Sequence, residues 1–308
     1  MTKLITLFLV PLCLLVVAAE IFADEPPRPL IVAHRGLLRH APENTLANFR
    51  ACLELRLGFE FDVERSKDGQ LVCIHDGTVD RTTNGNGKVS DLALAEIKEL
   101  DAGSWFDSKF SGEKVPTVDE VLELISQYKH HNVLIAVDLK AADVGEDVVR
   151  LAEKHKVLHR LLFIGRTIIE PGLRDRIRQT SAKAHTAAVA NNPDEFRDAL
   201  TATNADWVYV RYLPTNEAVE AVHRTKKRVF IAGSTVSGNM PKNWQHAVEA
   251  GIDGILTDYP LELRTTLRQS QADDGKWQSL FDGKSLKGWD AEDLDECFKV
   301  QDGAIVAG

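Results

Sequence analysis

Two histidines and three carboxylic acids stand at or near the ends of short apolar runs. His34 closes "LIVAH", His75 closes "LVCIH", and Asp138 lies near the end of "VLIAVDL". Glu60 and Asp62 lie two residues apart within "FEFDV", so their side chains point the same way along a strand. Carboxylates that face one direction repel each other unless a cation lies between them, and oxygen ligands suit Mg²⁺ or Ca²⁺ better than zinc. We therefore predict one divalent cation, Mg²⁺ or Ca²⁺, held by Glu60 and Asp62 with Asp138 as a third ligand.

The alternative for the acidic pair is a strand face that is exposed to water. The flanking residues Phe59, Phe61 and Val63 are apolar, which is not the burial expected if the pair merely faced solvent. Metal ligation is therefore the preferred interpretation of this strand.

The two histidines are the natural acid and base of such a site, because imidazole titrates close to neutral pH. Arg35 follows His34 directly, and Lys140 lies two residues beyond Asp138, so both add positive charge near the same place. A cation site, two histidines and two basic residues are what phosphoryl transfer from a diester would use. The residues alone thus indicate phosphodiester chemistry.

The elements that carry these residues repeat. Between Val63 and Leu71 lies only "ERSKDGQ", which joins antiparallel neighbours but is too short for a parallel crossover. Setting that return arm aside leaves eight strands, and we predict an α/β fold, a TIM-type (β/α)8 barrel with its active site at the carboxyl ends of the strands. The predicted strands are 30–34, 59–63, 71–75, 133–139, 161–165, 183–188, 207–211, 228–232 and 253–257.

Length, charge and cysteine content set limits on the function. The 308 residues suit one barrel of about 250 residues with additional segments. The formal net charge of -9, without a cluster of lysine and arginine, argues against a nucleic-acid partner. We expect a small-molecule phosphodiester substrate, with membrane contact only through a lipid substrate. The cysteines have no metal-type spacing, and Cys52 and Cys73 are expected to be buried thiols.

The first residues have the features of a secretory signal peptide. Lys3 precedes an uninterrupted apolar stretch over 4–19, and small residues before "DEPPRP" offer cleavage points. We predict a signal peptide over 1–23 and an exported protein, periplasmic or extracellular. An uncleaved N-terminal anchor is the alternative.

Several motifs resemble the glycerophosphodiester phosphodiesterases over 29–268. They are H-R-G at His34 to Gly36, P-E-N-T at Pro42 to Thr45, E-x-D at Glu60 to Asp62, K-D-G at Lys67 to Gly69 and H-D at His75 and Asp76, continued by "VDRTTNGNGKVSDL", "LDAGSWF", "VPTVDEVL" and "GIDGILTDYP".

The resemblance implies a TIM-type barrel with a small insertion at about 77–115, after the hairpin-linked His-Asp strand. It implies that His34 and His75 form the acid/base pair and that Arg35 and Lys140 contact phosphate. Glu43, which we group with these substrate-binding residues, would lie close to the metal. The implied reaction is the metal-dependent hydrolysis of glycerophosphodiesters to glycerol 3-phosphate and an alcohol.

Two departures from the family's pattern concern the substrate. The family commonly has E-x-K where this chain has Asp138-Leu139-Lys140, and the late strand "IAGSTVSGN" lacks the aromatic residue that often packs on glycerol. Arg166 and Arg211 lie at two other strand ends, so we predict that they recognise an anionic head group. The alternative is that both arginines pair with nearby acids at the rim.

The tail differs from the barrel in composition. We predict a linker over 269–276, followed over 277–308 by a segment that resembles the opening of the 3-keto-disaccharide hydrolase family, a concanavalin-like β-sandwich. About thirty residues are far too few for such a sandwich, so a disordered or hairpin tail is the alternative.

Two other functions remain open at this stage. One is a lysophospholipid phosphodiesterase of phospholipase D type, in which the substrate's own hydroxyl attacks to give a cyclic phosphate. The other is a non-catalytic barrel attached to a carbohydrate-directed domain.

Overall fold

A computed structural model describes residues 28–129, 132–272, 284, 298–301 and 304–307. The predicted barrel is confirmed: eight parallel strands pair in the order β1-β2-β4-β5-β6-β7-β8-β9, and β9 pairs back to β1. The strands are β1 (Leu30–Ala33), β2 (Gly58–Arg65), β3 (Leu71–Cys73), β4 (Ile135–Leu139), β5 (Leu161–Gly165), β6 (His185–Ala190), β7 (Trp207–Val210), β8 (Arg228–Ile231) and β9 (Gly254–Thr257).

The helices lie mainly between successive barrel strands, as the repeating pattern predicts. They are α1 (Leu46–Glu54), α2 (Leu94–Glu99), α3 (Val118–Gln127), α4 (Gly145–Lys154), α5 (Arg166–Ile169), α6 (Pro171–Thr180), α7 (Phe196–Thr201), α8 (Asn216–Arg224), α9 (Pro241–Glu249) and α10 (Pro260–Ala272). Helix α10 extends to Ala272, four residues into the segment predicted as a linker.

Strand β3 is the exception to the parallel order, as the short link before it predicts. It runs antiparallel to β2, with Val63 opposite Cys73. Several strand bounds differ from the prediction by two residues: β2 ends two residues later, β3 ends two residues earlier, and β4 and β6 begin two residues later. Strand β6 begins at His185 because Ser181–Ala184 closes a turn at the end of α6.

Alternation along β2 decides which side chains reach the barrel mouth. Phe59 and Phe61 point outward and are fully buried against the helices, with the Phe59 ring stacked on Phe49 at a centroid distance of 4.3 Å. Glu60 and Asp62 therefore point into the barrel. Below them the interior is filled by apolar side chains, among them Val32, Ala136, Leu162, Tyr209 and Phe230.

The segment over 77–115 packs on the β2–β3 hairpin, and the two share a small apolar core. A backbone hydrogen bond from Lys67 N to Leu92 O (2.9 Å) joins the hairpin to this segment, and one from Cys73 N to Pro116 O (2.8 Å) joins it to the residue that follows the segment. The core contains Val72, Ile74, Val79, Val89, Ile97, Ala102 and Val115. The segment, which begins two residues after His75, is thus held beside that histidine.

The two ends of the chain are described only in part. The signal peptide predicted over 1–23 lies outside the described residues, so export remains a prediction. Among the residues that the structure describes, no helix combines the length and apolar character needed to cross a membrane. In the tail, strands β10 (Phe298–Gln301) and β11 (Ala304–Ala307) form an antiparallel pair, and a β-sandwich is not observed within the described residues.

Cys52 and Cys73 are buried free thiols, as expected. Burial raises the pKa of the Cys52 thiol from 9.0 to about 12, and it raises the pKa of Cys73 as well.

Since the thiolate is the reactive form, both side chains should resist alkylation in the folded protein, and labelling should not accelerate between about pH 8 and about pH 10. We expect the Cys13→Ser/Cys297→Ser variant to label only after unfolding in guanidinium. Rapid native labelling would contradict this burial.

Candidate active site

The three predicted acids converge at the carboxyl ends of β2 and β4. Asp62 lies opposite Asp138 on the neighbouring strand β4. Glu60 precedes Asp62 by two residues on β2, so both side chains are on the same face of that strand. One carboxylate oxygen from each of the three residues lies within 4.8 Å of the other two. Glu60 and Asp62 are buried, and the side chain of Asp138 is 24% exposed.

This convergence is electrostatically unfavourable without compensating positive charge. Burial, and then the charges of Asp62 and Asp138, raise the pKa of Glu60 well above its ordinary value. Burial also raises the pKa of Asp138, against the effect of the Lys140 ammonium. Burial acts in the same direction on Asp62, but the Lys140 ammonium and the Asn44 hydrogen bond act against it, and the pKa of Asp62 lies below its ordinary value.

The two predicted phosphate-binding cations lie against this acidic cluster. Lys140 Nζ is 2.7 Å from Asp62 Oδ1 and 3.1 Å from Asp138 Oδ2. The backbone N–H of Arg35 donates to Glu60 Oε2 at 2.8 Å, and Arg35 Nε lies 3.8 Å from Asp62 Oδ2. Both cations are thus at the barrel mouth, beside the atoms that would hold a metal ion.

The acidic cluster fits a hard divalent cation. Its donors are carboxylate oxygens only, which suits Mg²⁺ or Ca²⁺ rather than a metal that prefers nitrogen or sulfur. Asp62 Oδ1 is buried and has no hydrogen bond besides its ion pair with Lys140, so the oxygen retains capacity for a further cation.

Asn44 holds the Asp62 carboxylate in place, a contact that the sequence analysis did not predict. The Asn44 amide nitrogen donates to Asp62 Oδ2 at 2.8 Å, and Asp62 N donates to Asn44 Oδ1 at 3.2 Å. Asn44 has a φ of +56°, a left-handed conformation that asparagine tolerates better than most residues. The residue belongs to the quoted P-E-N-T motif, but only the fold shows which acid it contacts.

A second asparagine holds the loop between β1 and α1. Asn48 Oδ1 accepts from Leu37 N at 2.5 Å, and its amide nitrogen donates to the carbonyls of Ala41 and Pro42. Gly36, at φ +80°, is required here because a Cβ would lie 2.1 Å from Asn48 Oδ1. The loop that carries Arg35, Glu43 and Asn44 is therefore tied to the first turn of α1.

Each candidate histidine contacts a carboxylate through Nδ1. His34 Nδ1 lies 2.7 Å from Asp258 Oδ1, and His75 Nδ1 lies 2.8 Å from Asp76 Oδ1. Because an ionised carboxylate can only accept, these contacts assign the Nδ1 proton to each ring and leave Nε2 for proton transfer. A protonated His75 would lower the pKa of both Asp62 and Asp138, since the ring lies near the acidic cluster.

Glu43 lies between two arginines. Its carboxylate accepts from Arg35 NH1 at 3.1 Å and from Arg81 NH1 and NH2 at 2.9 and 2.8 Å. Burial opposes ionisation, but Arg81 and Arg35 together hold the pKa of Glu43 below its ordinary value. We predicted that Glu43 lies close to the metal. In the structure Arg35 lies between Glu43 and Asp62, so Glu43 contacts the acidic cluster only through Arg35.

A cavity of about 490 Å³ opens beside the acidic cluster. Arg211 lines it and donates to Asn191 Oδ1 at 3.1 Å, whereas Arg166 pairs with Glu170 at 2.5 Å along α5. Of the two arginines that we predicted to recognise an anionic head group, Arg211 lines this cavity and Arg166 is paired with an acid. The lining residues are His34, Glu60, Asp138, Ile164, Tyr209, Arg211, Gly233, Ser234, Ser237, Leu256, Thr257 and Asp258.

Sequence reasoning missed several members of this site. Asp258 directly follows the predicted strand 253–257, so the same strand-end argument used for His34 would have found it. Arg81 lies within the quoted motif "VDRTTNGNGKVSDL", but nothing in its spacing points to Glu43 or Asp76 as partners.

Known proteins are similar to this chain in sequence and in fold. Residues 34–262 match the glycerophosphoryl diester phosphodiesterase family. A glycerophosphodiester phosphodiesterase of Caldanaerobacter subterraneus is 32% identical over 252 residues, covering 79% of this chain and 99% of that protein. One from Bacillus subtilis is 39% identical over 257 residues, covering 76% of this chain and 85% of that protein.

Solved structures agree with these sequence relatives. An Oleispira antarctica phosphodiesterase, solved in complex with its product sn-glycerol-3-phosphate, has a TM-score of 0.64 at 25% identity, covering 78% of this chain and 98% of that one. A glycerophosphodiester phosphodiesterase from Agrobacterium tumefaciens has a TM-score of 0.65 at 26% identity, covering 77% of this chain and 99% of that one.

The fold and site thus define a phosphodiester hydrolase on a (β/α)8 barrel. The chain belongs to the glycerophosphoryl diester phosphodiesterase family, whose members generally use a divalent cation.

A substitution at Gly165 tests whether close packing holds Asp138 in the acidic cluster. It ends β5 with a φ of +72°, and a Cβ there would lie 2.1 Å from Asp138 Oδ1. Gly165→Ala should therefore displace Asp138, lower activity and reduce the free energy of unfolding by about 1–3 kcal/mol, measured by urea denaturation. The control is Gly172→Ala in α6, where a Cβ meets nothing within 4 Å. Equal behaviour of the two variants would show that the contact does not constrain the site.

Proposed function

We propose that this enzyme hydrolyses glycerophosphodiesters to glycerol 3-phosphate and an alcohol, with one divalent cation and the histidines His34 and His75 as its acid and base. The observation that carries the proposal is the convergence, at one barrel mouth, of three carboxylates and two carboxylate-bound histidines. The names of the relatives, and the product held by the Oleispira antarctica enzyme, support the choice of substrate.

Charge at the mouth would bind the diester. Bound at Glu60, Asp62 and Asp138, Mg²⁺ or Ca²⁺ would supply positive charge that polarises the phosphoryl group. Arg35 and Lys140 add fixed positive charge from the chain itself, and the planar Arg35 guanidinium suits two phosphate oxygens at once.

The two histidines would divide the proton transfers. One takes a proton from the attacking water as its oxygen forms a bond to phosphorus, and the other gives a proton to the leaving alkoxide as its bond to phosphorus breaks. Their carboxylate partners, Asp258 and Asp76, hold each ring and stabilise its protonated form.

Metal dependence is tested by removing the ion and its ligands. We expect exhaustive chelation to abolish turnover, Mg²⁺ or Ca²⁺ to restore it, and added cation to raise the melting temperature of the apo protein. Asp62→Ala should lose turnover and this thermal protection together, whereas Asp198→Asn, an exposed change on α7, should lose neither. Full activity after chelation would rule out the metal.

The histidine roles are tested by substitution and by choice of leaving group. His34→Ala and His75→Ala should each lower kcat by about 10²-fold or more, as expected for a lost proton-transfer group. The variant that lacks the acid should lose much less on a nitrophenyl diester, because that leaving group needs no proton. His223→Ala is the matched control, since His223 also pairs with an aspartate, Asp253, at 2.9 Å. A wild-type rate for His75→Ala at all pH values would refute its role.

Head-group recognition is tested with Arg211, which lines the cavity. If its guanidinium grips an anionic head group, diesters with an extra negative charge should be preferred over glycerophosphocholine. Arg211→Met should then reduce kcat/KM for the anionic substrate by roughly tenfold or more, as expected for a lost charged hydrogen bond, and leave the choline substrate little changed. Arg166→Met serves as control because Arg166 pairs with Glu170. An unchanged substrate profile would leave Arg211 structural.

A further inference from the structure

Arg81 makes an unusually complete set of contacts for a residue that does not line the cavity. The residue belongs to the segment over 77–115, and its side chain is 43% exposed. Its Nε and NH2 donate to the two oxygens of Asp76 at 2.7 and 3.1 Å. Its NH1 and NH2 donate to the two oxygens of Glu43 at 2.9 and 2.8 Å. One guanidinium therefore holds two carboxylates, each through both oxygens.

Each of these carboxylates continues into the active site. Asp76 Oδ1 lies 2.8 Å from His75 Nδ1, and Glu43 Oε1 accepts from Arg35 NH1 at 3.1 Å. Arg35 in turn donates its backbone N–H to Glu60. Arg81 thus stands between the candidate acid/base His75 and the candidate phosphate ligand Arg35, and contacts both only through another side chain.

The local chain geometry explains why Asp76 needs support. His75 and Asp76 are adjacent residues, and adjacent side chains on an extended chain point to opposite sides. The chain bends after β3 ends at Cys73, and Asp76 turns back to the ring of its own neighbour. A half-buried aspartate in such a bend could adopt several rotamers, whereas a carboxylate that accepts hydrogen bonds at both oxygens is held in one orientation.

We propose that Arg81 is a positioning residue: by fixing Asp76 it sets the orientation and tautomer of His75, and by fixing Glu43 it holds Arg35 against the acidic cluster. The inference rests on the proposed role of His75. It assigns a catalytic purpose to the inserted segment, whose small core fixes the backbone from which Arg81 projects.

The alternative is that Arg81 merely fastens the inserted segment to the barrel. Surface ion pairs often contribute little to stability, so the two roles differ mainly in what they do to turnover. A fastening role would lower the melting temperature and leave kcat of the folded enzyme unchanged. A positioning role lowers kcat with little change in KM, because Arg81 does not touch substrate.

The experiment measures kcat and KM for Arg81→Met, Arg81→Lys, Asp76→Asn and the double variant Arg81→Met/Asp76→Asn. Arg81→Met should lower kcat roughly 10- to 100-fold, less than the loss expected for removing an acid/base group itself, with KM within about twofold of wild type. Arg81→Lys should recover only part of the rate, since an ammonium cannot grip two oxygens of each partner. Arg150→Met is the control, an exposed arginine on α4 that pairs with Asp147 at 2.8 Å.

The double variant separates action through Asp76 from independent effects. If Arg81 acts through Asp76, the double variant should lose far less than the product of the two single losses. Nitrogen NMR of the histidine rings gives a second readout, in which the Nδ1 proton signal of His75 should be lost in Arg81→Met and Asp76→Asn but kept in Arg150→Met. If Arg81→Met does not fold, Arg81→Lys and Asp76→Asn carry the same comparison.

Several results would overturn the proposal. They are an unchanged kcat in folded Arg81→Met, a loss confined to KM, and losses that multiply in the double variant. Failure of the proposed function would look different, since His75→Ala would then keep the wild-type rate and the Arg81 variants would have no histidine step to impair.

Discussion

Crowding of negative charge at the barrel mouth is the constraint on which this site depends. Glu60, Asp62 and Asp138 meet within 4.8 Å, and burial makes their mutual repulsion stronger than it would be in water. Several groups of the surrounding chain compensate this negative charge. They are the Lys140 ammonium, the Arg35 backbone N–H and guanidinium, and the Asn44 side-chain amide. A site assembled in this way is already shaped for a divalent cation and for an anionic diester, because the same positive groups that steady the acids also face the mouth.

The two histidines reach equivalent arrangements by different routes. His34 finds its carboxylate 224 residues further along the chain, where barrel closure brings the end of β9 beside the end of β1. His75 uses the very next residue, Asp76, whose two carboxylate oxygens accept hydrogen bonds from Arg81. The first histidine therefore depends on the barrel as a whole, and the second depends on a local bend and on the inserted segment. A substitution in the insertion should be able to disturb one histidine and spare the other.

Much of the fold was predictable because its signals are local. Apolar runs, their alternation and the short "ERSKDGQ" link suffice for eight parallel strands and a hairpin, and the spacing of Glu60 and Asp62 predicts their shared direction. Other features depend on contacts between distant segments. Three such features can be predicted only when it is known which loops lie next to each other. They are the contact of Asn44 with Asp62, the contact of Arg81 with Glu43, and the lack of space for a side chain at Gly165. The same is true of Arg166 and Arg211. Both follow a strand end in the sequence, and only the structure shows that Arg166 forms an ion pair with Glu170.

Closure of the barrel by β1 and β9 has a consequence for the order of folding. Strand β1 is synthesised before the other barrel strands and pairs on one side with β2, but the partner of its other edge, β9, is synthesised more than two hundred residues later. Contacts of such long sequence separation form slowly, and an unpaired strand edge invites association with other chains meanwhile. The His34–Asp258 contact comes into being at that same moment of closure, so an incomplete or misclosed barrel would lack this histidine's partner however well its other half had folded.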